Sequence, residues 1–484
     1  MAAQEHQPLL PPHRNVVQTP LPKLKLAVVF AVKLLIPVAS AQPSPYINKM
    51  IENILGGPEK VGYYAGFVTS SFHLAQMLGM YPWARLSDRI GRKPVLLIGA
   101  LGSAVCAIVF GFVNSIWAMV VIRFILGFFC GTTGAIHAVV GDLTDESNQS
   151  TAFPLYDIVA AVGLIVGPLI GGTFANPIAE HATWSYAGLR RLFEAYPYLL
   201  PNLVTSVLAL STSLLAFFVL DETLPPGHST PSSSESSPQR DSEDFKHNKT
   251  FSVSQLLALP DVRSICVSTF LLGFLAAGFN VSVVLVSYSR VIDGGLALSP
   301  QQIGFALSLM GGLSIFLKLS LTCILRPTPG ARHSVSHKLT SLFTKTMATW
   351  PITFAGFIVL GLVSAAQGEN ASKGLIWAVL SVVLFLSRIG CIPFTLIMML
   401  VKEHTPTPAS LGTLNGLTEL VQAISIVMSP TLIGSLFAFS KTHDVLGGYL
   451  WVVFYVFCAI GGAFIASRLE TQQPEHVADP GEDA

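Results

Sequence analysis

The chain has 484 residues, of which 51% are hydrophobic and only 11% charged, and its net charge is +1. A soluble surface uses about 25% charged residues, so this chain lacks the polar residues to cover one. Near-neutral charge also argues against a nucleic-acid partner.

Residues 1–24 are polar and Pro-rich, with no signal-peptide pattern, and are read as a cytoplasmic tail. Within them Glu5-His-Gln-Pro-Leu9-Leu10 is similar to an acidic dileucine sorting signal, which implies an endosomal or vacuolar address beside the plasma membrane as alternative. A membrane-spanning helix needs about 20 apolar residues. Twelve segments meet this need, at 25–43, 61–83, 95–113, 116–138, 152–174, 199–220, 263–288, 303–325, 348–366, 375–400, 411–437 and 446–467. The first is read as an uncleaved span. Pro37, Pro168, Pro393 and Pro430 are expected to break the first, fifth, tenth and eleventh; neighbouring helices satisfy the freed backbone groups. The Ser-rich stretch 224–254 cannot form a packed core and reads as a cytoplasmic linker. It separates an N-terminal six-helix bundle, 25–223, from a C-terminal one, 255–468, followed by a cytoplasmic tail, 469–484. The expected fold is an all-α membrane protein.

Charge placement agrees with both tails inside. The inside segments then hold Lys23, Lys25, Arg85, Arg89, Arg92, Lys93, Arg263, Arg326, Arg332, Lys338, Lys345, Lys402 and Arg468, among others. The outside segments hold Lys49, Lys60, Arg190, Arg191, Arg290, Lys373 and Lys441, as the positive-inside rule asks. The acceptor Asn370-Ala-Ser is expected outside or in a lumen; Asn148-Gln-Ser and Asn248-Lys-Thr are expected inside. Cys106, Cys130, Cys266, Cys323, Cys391 and Cys458 stand alone in apolar runs, so neither a disulfide framework nor a metal site is read from them.

The short loop 83–96 carries Arg85, Arg89, Arg92 and Lys93 beside Asp88, with Gly91 and Pro94 to turn the chain. Leu86, Asp88, Arg89, Gly91, Arg92 and Lys93 resemble the loop between the second and third helices of major facilitator transporters; Ala84 stands where that pattern has Gly. In the fifth span Gly163, Gly167, Pro168, Gly171 and Gly172 resemble the fifth-helix signature of proton-coupled antiporters, with Pro154 where a further Gly is expected. Glycines four apart also read as ordinary close packing. Arg123 resembles the arginine of the fourth-helix motif, with snorkelling to the interface as the alternative. Residues 220–225 resemble the close of the sixth helix in the same families. Residues 411–416, leading to Ser429-Pro430, are similar to the eleventh helix of fungal and plant members near the zinc-induced facilitator group, whose Cys- and His-rich signatures are absent here. The resemblance implies two bundles about a central cavity, gating by the basic loop, and contacts from Asp88 to the start of the eleventh helix and from Arg92 to Asp142.

Ionisable and polar groups inside the bilayer are candidates for the substrate or proton path. They are Lys33, His73, Gln76, Arg123, His137, Asp157, Asn280, Arg388 and Glu419. Arg388 and Glu419 lie well inside their spans and read either as a mutually neutralising pair or as part of the path; Lys318 is expected to snorkel toward the cytoplasm. The expected function is alternating-access transport of a small organic solute, as proton-coupled export or antiport by a monomer in the lipid bilayer. A nutrient facilitator or symporter is one alternative, a non-transporting sensor of the same fold another. No cofactor is expected, and no enzyme motif is found.

Overall fold

The computed structural model describes residues 21–145, 148–177, 187–223, 253–324, 332–367, 373–405, 407 and 410–471. The dileucine pattern, most of the linker, Asn248 and Asn370 lie outside these. Among the described residues all regular structure is helical. The first half comprises Lys23–Ala41 (α1), Ile47–Leu55 (α2), Val61–Ile90 (α3), Arg92–Gly111 (α4), Ile116–Phe129 (α5), Thr133–Asp142 (α6), Gln149–Phe174 (α7), Ala187–Ala195 (α8) and Leu199–Val219 (α9). The second comprises Val253–Ala258 (α10), Pro260–Tyr288 (α11), Pro300–Ile324 (α12), Arg332–Met347 (α13), Thr349–Gln367 (α14), Lys373–Ile389 (α15), Pro393–Glu403 (α16), Leu411–Thr442 (α17) and Leu450–Thr471 (α18).

Among the described residues, ten helical segments are long and apolar enough to cross a membrane. The fourth span is α5 and α6 joined through a tight turn at Cys130–Thr132; the tenth is α15 and α16. Helices α3 and α7 fall short of that measure. Polar His73, Gln76 and Asp88 dilute α3, and the apolar part of α7 is Ile158–Phe174. Both pack lengthwise within the same bundles and complete the expected set of twelve.

Several boundaries differ from expectation for physical reasons. Helices α1, α7 and α17 run through Pro37, Pro168 and Pro430; only Pro393 sits at an interruption, opening α16 where it costs no hydrogen bond. The ninth span is preceded by a helix from Arg332, which hydropathy misses because that stretch is polar. There Thr344 and Thr346 bond back to carbonyls of their own helix. Helix α10 begins at Val253, inside the expected linker. Helix α2 was not foreseen. Ile47, Met50 and Ile51 bury one face, Lys49 and Glu52 keep another toward solvent, and left-handed Gly56 (φ 75°) ends it.

In the first half α1 packs on α7 and α9, α3 on α5, and α4 on α9. In the second α11 packs on α17 and α18, and α14 on α15 and α18. The halves meet where α3 crosses α17 and α7 crosses α12. That seam lies at the end remote from the tails, here called the far end. A Cβ on Gly66 would stand 2.1 Å from the Pro430 carbonyl oxygen, one on Gly434 2.2 Å from that of Gly62, and one on Gly304 2.5 Å from that of Pro168. Small residues thus let the backbones touch. The backbone N–H and the hydroxyl of Thr431 both donate to the Ser70 hydroxyl, and the Ser308 hydroxyl donates to the Ile165 carbonyl. Toward the tails the halves part. Gly412 and Gly416 of α17 face open space, and Asn415 and Glu419 are exposed.

Candidate translocation path and its gates

The basic loop is a tight turn between α3 and α4. Gly91 has φ 103°, a region that L side chains rarely adopt, and a Cβ there would lie 2.3 Å from the Glu222 carboxylate. Glu222 accepts from the backbone N–H of Arg92 (2.8 Å) and of Lys93 (3.2 Å). It therefore caps α4 from the far end of the bundle's sequence, satisfying orphan donors and the positive helix end. Next to it Asp221 meets Lys25 at 2.6 Å, and that hydrogen bond and charge hold its carboxyl below the usual range. Arg92 Nε lies 2.7 Å from Asp142 Oδ2. The contact is an ion pair with its N–H aimed off the oxygen, since that nitrogen makes no hydrogen bond among the described residues. Lys93 reaches over the Phe217 ring at 5.2 Å. Arg89 is exposed, and Asp88 is exposed with no ion pair or hydrogen bond among the described residues.

The glycines of α7 divide by face. Gly163, Gly167 and Gly171 look at α1, where an added Cβ would meet Pro37 at 2.3 Å, the Val38 carbonyl at 3.0 Å and the Gln42 carbonyl at 1.8 Å. Gly172 looks at α12, with the Pro300 carbonyl at 2.7 Å, and the Pro168 carbonyl also lies on that side.

Two clusters of polar groups lie inside the first half. In one, Arg123 is buried at 2% exposure, so it does not snorkel. It donates to the carbonyls of Ala39 (3.0 Å) and Ser40 (3.2 Å), which end α1, and its guanidinium covers the Phe72 ring at 4.5 Å. His73 and Gln76, half-buried, contact each other at 3.4 Å on α3. In the other, Lys33 Nζ stands 4.3 Å above the Tyr156 ring, and the His137 ring lies 4.5 Å from the same tyrosine. Asp157 is the next residue on α7; its side chain is outside the described set.

Across the tail-side opening, Glu419 of α17 is within electrostatic reach of Lys33. The mutually neutralising pair of Arg388 and Glu419 is not formed: Glu419 makes no ion pair among the described residues. Arg388 is buried at the end of α15, where Nε donates to the Ser387 hydroxyl at 3.2 Å, and it makes no ion pair among the described residues. Hydropathy gives the depth of a residue in its span, but not the face to which the helix turns it. Lys318 is exposed on α12, and Asn280 on α11. Sequence reasoning missed Tyr156, the capping role of Glu222, and the seam glycines Gly62, Gly66, Gly304 and Gly434. An acid directly after an apolar span, matched to a basic turn, was the signal available for Glu222.

Two helical bundles joined at one end, with charged groups facing each other at the other, define a solute carrier of the membrane. Residues 44–430 match the Major Facilitator Superfamily, and the chain belongs to that family. It is 32% identical to the major facilitator-type transporter psiT2 of Psilocybe cyanescens, over 93% of this chain and 90% of that one. It is 25% identical to the efflux pump azaK of Aspergillus niger, over 93% and 92%. Its fold matches the crystal structure of the human organic anion transporter MFSD10 with a TM-score of 0.57 at 20% identity, over 93% of this chain and all (100%) of that chain.

Proposed function

We propose that this chain exports a small organic solute from the cytosol by alternating access, coupled to protons at Glu419 with Lys33 as its counter-charge. The observation that carries this is the position of the two. They sit on different halves, so rocking one half against the other changes the distance between them and with it the carboxylate's environment. The similarity to an efflux pump supports outward direction. The tails and the basic loop are on the cytosolic side in this reading, in a vacuolar, endosomal or plasma membrane. The test uses proteoliposomes with a pH-sensitive dye inside, challenged with a panel of organic cations, anions and zwitterions. A transported solute is expected to move protons the opposite way. Solute flux with no proton movement, unchanged by a pH gradient, refutes coupling; co-movement of solute and protons in one direction favours the symporter.

The exposed carboxylate of Asp88 fits a gate that engages only when the cytosolic side closes. Asp88 then meets the start of α17, while the Arg92–Asp142 pair keeps α4 and α6 in register. Asp88→Asn keeps the shape and removes the charge. It is expected to slow turnover while size-exclusion profiles of the protein stay normal. Wild-type flux in that variant removes Asp88 from the gate.

A further inference from the structure

The path through Lys33 and Glu419 leaves α2 without a role, although this short helix touches both halves. It is fixed to its own half on one side. The Tyr46 and Tyr198 rings stack at 5.0 Å, Asn202 donates to the Tyr46 hydroxyl at 3.0 Å, and Asn53 donates to the Tyr198 hydroxyl at 3.1 Å. On the other side it reaches α11 of the second half. Asn48 Nδ2 donates to the buried Val284 carbonyl at 3.3 Å, and the Tyr288 hydroxyl donates to Glu52 Oε2. Lys49, one turn back on α2, holds the same carboxylate oxygen at 2.7 Å.

We propose that Asn48, Glu52 and Tyr288 form a latch that keeps the far end closed while the tail-side end is open. This rests on the alternating-access reading above. Three features make it a latch and not permanent packing. First, α2 is a stiff arm of one half, so its contact with α11 must break when the halves separate there. Second, a hydroxyl on a carboxylate is directional and charge-assisted, unlike the close backbone and apolar contacts elsewhere in the seam. Third, the contact borders a cavity of about 1210 Å³ whose largely apolar lining also carries Lys49, Arg290 and Lys441, so the released carboxylate finds cations there. Burial works against the charge on Glu52, but the hydrogen bonds from Lys49 and Tyr288 and the charges of Lys49 and Arg290 outweigh it and lower its pKa. The acceptor is therefore a carboxylate at neutral pH.

The test measures both ends of the full-length protein in detergent. Ser70→Cys places a reporter in the closed seam, and Asn415→Cys places one at the tail-side opening; maleimide labelling rates report access to each. Glu52→Gln and Tyr288→Phe are each expected to speed labelling at position 70 by about five-fold, the size of one lost hydrogen bond. Because they share one contact, the double variant is expected to exceed neither single one by much. Asn53→Ala, which cuts a bond within the first half, is expected to leave the rate unchanged. Unchanged labelling at position 70 in both Glu52→Gln and Tyr288→Phe overturns the latch, and so does an equal rise in Asn53→Ala. Faster labelling at position 70 without slower labelling at position 415 upholds the latch and refutes the rocking motion, which separates the two ideas.

Discussion

Gly171→Val is expected to abolish nearly all folded protein, and Gly312→Ala to be harmless or mildly stabilising. At Gly171 the first added carbon would lie 1.8 Å from the Gln42 carbonyl oxygen, a backbone atom that no rotamer change can move. Helix α7 cannot step back, because Gly163 and Gly167 hold the same face against Pro37 and Val38. Overpacking of this kind costs roughly 1–3 kcal/mol where side chains yield, and more where backbone must. Gly312, in α12, has nothing within 4 Å of its added Cβ, so Ala there removes backbone freedom from the unfolded chain and gains about 0.5–1 kcal/mol. Fluorescence-detected size exclusion and a thermal midpoint on each variant are sufficient. A Gly171→Val protein that accumulates and melts like the parent would mean that α1 and α7 are not in contact as described. The result also bears on the motif. Gly163, Gly167 and Gly171 serve a contact inside one half, while Gly172 and Pro168 serve the contact between halves.

Glu419→Gln is expected to reduce accumulation driven by a pH gradient to background while solute exchange continues. Exchange needs only a cavity that opens alternately. Accumulation needs a group whose proton affinity differs between the two states. In the tail-open state described here Lys33, on the other half, is within electrostatic reach of Glu419. Closing the tail side brings the halves together at that level and changes the distance from the cation to the carboxylate. Gln keeps the volume and hydrogen-bonding capacity but cannot take up a proton. Proteoliposomes loaded with solute separate the two activities by counterflow and by an imposed pH gradient. If the variant still concentrates solute, coupling lies elsewhere, and Asp157, next to the Tyr156 that Lys33 covers, is the second carboxylate to replace by Asn. Joint loss of exchange and accumulation would instead make Glu419 a structural or solute-binding group.

The spans and the two bundles were legible because bilayer thickness imposes a length and an apolar composition that survive in one sequence. The Arg92–Asp142 contact was legible because the basic turn brings a short pattern with it. Three other features were not. Arg388 and Glu419 have similar depth, but one is buried beside Ser387 inside its bundle and the other is exposed, within electrostatic reach of Lys33. Rotation about a helix axis is decided by packing, and nearly uniform apolar spans record it poorly. Helix α2 is only nine residues long and lies between spans, below the length at which periodicity is convincing. The cap of α4 by Glu222 joins residues 130 positions apart, so no local window contains both partners. Three of the four flagged prolines sit within continuous helices because Pro removes one hydrogen bond, a loss that a tightly packed neighbour can absorb.

At its glycines the far-end seam brings main chain against main chain. Parting Gly62 from Gly434, or Gly172 from Gly304, resets no long side chain at those points, although the buried apolar cluster with Val61, Ala65, Ile303 and Ile433 crosses the same seam. A carrier that cycles needs its two end states within a few kcal/mol of each other. On that scale one pH unit at a titrating carboxylate, worth about 1.4 kcal/mol, is enough to tilt the balance. Where glycine meets main chain, as at Gly62 and Gly434, the halves can part with no rotamer to reset.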